Sequence, residues 1–191
     1  MRKNVTCFLF AIFSLVPAAF GSRPVISGGI SFGNGYNSEF VSVLFVRPNS
    51  LNFGADLSLF NFEEKSTTSR AYYGALYTQN KLFQKDVLSV DWLVGVTYSK
   101  SDYSSFSSDA VTTPGIGIAG KYVLSPRWSI DGKAVAVIYS DGFAVPYNVA
   151  ITYPVKKVDV SVGVQGLLTT ISSGGNSSSS NSYGLMVGAK Y

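Results

Sequence analysis

The chain contains no histidine. Without an imidazole, neither a Ser–His nor an Asp–His arrangement can be assembled, and the hydrolytic chemistries that rely on one are excluded. There is a single cysteine, Cys7. It lies in a stretch expected to be removed, so the remainder forms no intrachain disulfide, and zinc loses its usual nitrogen and sulfur ligands. Charge is scarce at 14% of residues, and taking Arg2 and Lys3 from the 15 basic residues leaves 13 against 11 acidic ones. No basic stripe is present, which argues against nucleic acid as a partner. Long apolar runs are missing too. Beyond the first 21 residues nothing approaches the roughly 18 continuous apolar residues that a spanning helix requires. Yet 46% of the 191 residues are hydrophobic and 14% aromatic, rich for a soluble domain. If a membrane is involved, strands must cross it.

The N-terminus has the pattern of an export signal. Arg2 and Lys3 are followed by an apolar run from Cys7 to Val16, then by Pro17-Ala18-Ala19-Phe20-Gly21, small enough for cleavage after Gly21. Residues 1–21 are therefore expected to be a leader and 22–191 a single domain. A secreted soluble domain of this size more often carries disulfides, whereas a closed strand ladder needs none.

From Arg23 on, strand-like runs alternate with turn chemistry and helical periodicity is absent. Ten strands are predicted: 25–33, 39–47, 51–61, 70–79, 87–99, 112–124, 128–139, 143–155, 158–171 and 182–191, with an eight-stranded arrangement as the alternative. The fifth sets Leu88, Val90, Trp92, Val94, Val96 and Tyr98 against Ser89, Asp91, Leu93, Gly95, Thr97 and Ser99, and the ninth sets Val158, Val160, Val162 and Val164 against Asp159, Ser161, Gly163 and Gln165. One face is oily and the other small or polar, with period two. In the second and fourth strands both faces carry apolar groups, because Phe40, Leu44 and Val46, and likewise Tyr72 and Leu76, add to the apolar residues of the other face. Long connections are expected at odd positions (62–69, 100–111, 172–181) and short turns at even ones, with 80–86 and Asp141-Gly142 as exceptions. The turn at Asp141-Gly142 predicts Ile138 opposite Val145. The loop Ser125-Pro126-Arg127 predicts Leu124 opposite Trp128, Tyr122 opposite Ile130 and Lys121 opposite Asp131.

The final segment alternates as well, with Tyr183, Leu185, Val187, Ala189 and Tyr191 on one face and Gly184, Met186, Gly188 and Lys190 on the other. Leader, alternating strands, loop parity and this ending together resemble the small outer-membrane β-barrel proteins of Gram-negative bacteria, in the broad OmpA-like sense. The resemblance covers the whole chain after the leader and is architectural. It implies an all-β, antiparallel, up-and-down transmembrane barrel in the bacterial outer membrane, with outer-membrane lipid around it. It also implies that Tyr183, Leu185, Val187, Ala189 and Tyr191 form the recognition signal for the barrel-assembly machinery. The barrel enzymes of such membranes are similar to one another in needing a histidine, so a non-enzymatic protein is expected.

In such a barrel Asp56, Asp91, Lys121, Asp131, Lys133, Asp159 and Lys190, all on polar faces, would form a lumen charge cluster, away from lipid where each would be costly. Pairing is expected for Lys121 with Asp131 and for Lys190 with Asp159. Tyr122, Trp128, Tyr153 and Tyr191 near the even connections, and Tyr98, Phe143 and Tyr183 near the odd ones, would form aromatic belts at the headgroup zones. No cofactor is expected: Gly28-Gly29 and Gly115-Ile116-Gly117 lack the following helix of a phosphate loop, and Asp56 with Asp91 is better read as ion-pair partners than as an acid–base pair. Asn176-Ser177-Ser178 reads as flexible loop rather than as a glycosylation acceptor. Three functions fit: a structural or surface-interaction barrel acting through its outer loops, a narrow passive pore, or a soluble lipocalin-like barrel holding an apolar ligand. The inward glycines and serines leave room for a pore, but Phe60, Met186 and the charges are expected to plug it.

Overall fold

The computed structural model describes residues 23–33, 35–46, 51–64, 67–102, 110–173 and 176–191. The expected leader, residues 1–21, lies outside them. Ten strands follow one another: β1 (Arg23–Gly33), β2 (Tyr36–Val46), β3 (Asn52–Glu64), β4 (Thr67–Lys85), β5 (Leu88–Asp102), β6 (Val111–Ser125), β7 (Trp128–Tyr139), β8 (Gly142–Val155), β9 (Val158–Ser173) and β10 (Asn176–Lys190). Each runs antiparallel to the next, and β10 returns to pair with β1, which closes the sheet into a barrel. Closure gives every strand a neighbour on both sides. The Tyr191 amide donates to the Ile26 carbonyl at 2.8 Å and the Ile26 amide to the Tyr191 carbonyl at 2.9 Å, completing the seam.

The alternation is used as the sequence implies. On β5, Val94 and Val96 are 49% and 53% exposed while Leu93 and Thr97 are 1% and 2% exposed. The oily face therefore points out and the small or polar face into the lumen. On β4, where the sequence left the faces open, Ala71, Tyr73, Tyr77 and Gln79 are buried inward and Leu76 is outward.

Several connections differ from expectation. Most of 62–69 and 172–181 is strand, because β3 continues to Glu64, β4 starts at Thr67 and β10 starts at Asn176. The segment 80–85 is strand as well: a bulge between Lys81 and Phe83 re-phases β4, and the chain turns at Asp86-Val87 with Asp86 left-handed at φ 45°. Both β4–β5 and β8–β9 thus close on two-residue turns, Lys156 supplying the positive φ of 57° in the latter. The β7–β8 turn is Ser140-Asp141, not Asp141-Gly142, and it sets Ile138 opposite Phe143. Glycine here fills the fourth position of the turn, where it is also favoured. Between β6 and β7, Tyr122–Ile130 and Lys121–Asp131 are partners as expected, but Trp128 faces Ser125 and Leu124 becomes a bulge. Proline at the second position of the Ser125–Trp128 turn selects that tighter geometry, and the ladder absorbs the extra residue.

Candidate functional site: the barrel lumen

The half of the lumen next to the odd connections is filled. Tyr36, Phe60, Ala71, Tyr73, Val137, Ala144 and Leu167 form one buried cluster, with Phe62 and Tyr139 packed against it. The Phe60 and Tyr73 rings meet edge-on with centroids 5.5 Å apart, and Tyr36 lies 6.0 Å from Phe60 and 5.6 Å from Phe62. Phe60 is wholly inaccessible. Serines complete the wall beside this plug, with Ser31 and Ser38 hydrogen-bonded across β1 and β2 at 2.7 Å.

Below the plug a polar strut crosses the barrel. Lys133 of β7 forms an ion pair with Asp56 of β3. Its ammonium also donates to the Tyr77 hydroxyl at 2.5 Å and sits 4.1 Å from that ring's centroid. The Tyr77 hydroxyl donates in turn to Asp56 Oδ1 at 3.1 Å. Each charge thus has two partners, the condition under which a buried pair is tolerated. Glycine makes the room: a Cβ on Gly54 would fall on the Tyr77 ring, and one on Gly29 would lie 2.7 Å from Phe40 Cε1. These inward glycines accommodate rings, so they do not leave an open channel.

Other members of the expected charge cluster lie on lumen-facing positions without joining the strut. Gln79 Nε2 donates to Asp91 Oδ2 at 2.7 Å, and Ser129 Oγ donates to Asp131 Oδ2 at 2.7 Å. Lys121 stands opposite Asp131 and Lys190 opposite Asp159 in the ladders. Neither couple closes to an ion pair among the described residues; the lysine that pairs in the lumen reaches across it instead. Around the strut, from the plug residues Tyr73 and Val137 toward the even turns, runs a cavity of about 380 Å³, whose wall includes Asp56, Asp91, Lys121, Asp131, Lys133 and Lys190. The lumen is a cup, stoppered at one end by aromatic rings and reaching the even-turn end.

Sequence reasoning missed Tyr77 and Gln79, and it set Gln165 on the polar face of its strand without giving it a role; Tyr77 and Gln79 are the two whose facing it did not predict. Both sit on β4, whose two faces are both partly apolar, so nothing local marked them as inward. The small residue facing Tyr77 becomes a signal only once Gly54 and Tyr77 are known to be ladder partners.

On the outside, Tyr98, Tyr122, Trp128, Phe143, Tyr183 and Tyr191 are exposed, and Trp128 stacks at a tilt on Tyr153 with centroids 4.7 Å apart. Leu185 is 71% exposed, and Tyr183, Val187 and Tyr191 share its face.

No family model and no curated protein matches the chain. Among solved structures it is similar to the Neisserial surface protein A, at 12% identity and TM-score 0.41 over 87% of this chain and 93% of that one. It is similar to the outer membrane protease OmpT from Escherichia coli, at 11% identity and TM-score 0.49 over 89% and 92%. A major outer membrane protein from Thermus thermophilus aligns at 12% identity and TM-score 0.34 over 88% and 99%.

Proposed function

We propose that this chain is a non-enzymatic outer-membrane β-barrel with a structural or surface-interaction role. The observation that carries the reading is the outer surface. Ile30, Val41, Leu57, Leu76, Val94, Ile116, Ile138, Val149, Val162 and Leu185 are exposed, one on each of the ten strands around the barrel. A water-soluble monomer rarely exposes a contiguous apolar surface above a few hundred Å². The band has the right height. Phe143 and Tyr153 bound it on β8, and their spacing corresponds to about 33 Å along the strand, or about 25 Å along the axis at the usual tilt. That matches the apolar girdle of a membrane barrel. Short turns at the even connections then face the periplasm, and the Ser/Asn-rich end of β10, exposed from Ser177 to Asn181, faces outward. Outer-membrane lipid and, during biogenesis, the barrel-assembly machinery acting on Tyr183, Leu185, Val187, Ala189 and Tyr191 are the partners this reading requires.

A soluble ligand-carrying barrel would turn its apolar face inward, and a pore would leave its lumen open at both ends. Fractionation tests the proposal: the expressed protein sediments with outer membranes and is released only by detergent. A freely soluble monomer overturns it.

A further inference from the structure

Gln165 of β9 is 3% exposed, and its Oε1 accepts no hydrogen bond. An acceptor left this way is destabilising unless a donor reaches it. It lies beneath Leu167 of the plug and lines the cup, whose volume of about 380 Å³ falls within the range of small-molecule sites. Charge does not select the occupant. The wall carries Asp56, Asp91 and Asp131 against Lys121, Lys133 and Lys190, which cancel. All three carboxylates already accept hydrogen bonds, from Tyr77, Gln79 and Ser129. At the level of Gln165 the neighbouring inward side chain is Asn148, its ladder partner, and the wall adds the hydroxyls of Ser58 and Ser161 and the ring of Phe40. Amides and hydroxyls donate and accept at once, and a ring offers an apolar face. The solute that uses this set is uncharged, carries several O–H groups and has a flat C–H face.

We propose that the cup binds a small, uncharged polyhydroxylated solute, a sugar or polyol, which donates a hydroxyl to Gln165 Oε1 and enters from the even-turn end. That this end faces the periplasm rests on the orientation proposed above; the binding itself does not. The test uses the full ¹⁵N-labelled protein in phosphocholine micelles, free of sugar detergents, with glucose as the probe and glucuronate as the charged control. The side-chain amide signals of Asn148 and Gln165 are expected to shift saturably with glucose. Gln165→Leu, read at Asn148, and Asn148→Leu, read at Gln165, are each expected to weaken binding about tenfold, the equivalent of one hydrogen bond. Either variant suffices if the other fails to fold. The proposal is overturned if neither amide shifts saturably, so that water alone fills the cup. It is equally overturned if glucuronate binds as tightly as glucose, or if the substitutions leave the affinity unchanged.

Discussion

At the scale of single residues, Lys133 shows what a lumen demands of a charge. Its ammonium is held by Asp56 and by the Tyr77 hydroxyl, and removing one partner leaves the other charge uncompensated in a mostly enclosed space. Lys133→Met is therefore expected to destabilise the barrel by about 3 kcal/mol in guanidinium unfolding from micelles. Adding Asp56→Asn should recover most of that loss, because an amide can still accept from Tyr77. Equal losses for the single and double variants would show that no uncompensated carboxylate is left behind when the lysine is removed. Alternation was enough to place Lys133 and Asp56 on inward faces. It could not join them, since the ladder makes neighbours only of adjacent strands and β7 meets β3 across the barrel. That contact depends on circumference and stagger, which no local pattern encodes. The sequence-based pairing of Lys121 with Asp131 had the register right, but among the described residues the two do not close to an ion pair, and Asp131 accepts from Ser129 instead.

Single strands carry the membrane argument. Trp128 opens β7 beside a turn, whereas Trp92 lies further along β5, opposite outward-facing Ile118. In bilayers containing brominated lipids, a variant keeping only Trp128 is expected to be quenched best by shallow bromines, and one keeping only Trp92 by deeper ones. Identical profiles would remove the belt. The β9–β10 ribbon offers a second check. Serine and asparagine favour turns over strands, so 172–181 read as a loop, yet Thr169 bonds Ser180 at 2.6 Å and Thr170 bonds Ser179 at 2.9 Å. Ladder pairing continued from the barrel overrides local preference there. Thr169→Cys with Ser180→Cys, in the leaderless and hence cysteine-free background, is expected to oxidise to an intramolecular disulfide, detected by its mobility on gels without reductant. Persistent free thiols would return the ribbon to a loop. Elsewhere the strand count and facing were legible because period-two alternation is a local property. Turn positions were not, since glycine and proline each fit more than one place in a turn.

For the molecule as a whole, the stopper made by Tyr36, Phe60, Tyr73 and Leu167 decides whether anything passes. Planar bilayers with verified insertion are expected to stay silent with the natural protein. Phe60→Ala combined with Tyr73→Ala, which deletes the two rings that meet edge-on, should give resolvable single-channel steps. Steps from the natural protein would reinstate the pore. The closing seam bears on time rather than on space. Nine ladders join strands that follow one another along the chain, but the tenth joins Ser27 to Lys190 and, among the described residues, spans only six strand partners beside the Ile26–Tyr191 pair, against fifteen for β9–β10. Bringing such distant residues together costs about 2–3 kcal/mol more than closing a short hairpin, and the fewest ladder bonds are there to offset it. Hairpins can therefore form early and in any order, while the cylinder forms last. Until then β1 and β10 each present an unpaired edge, open to pairing with another chain.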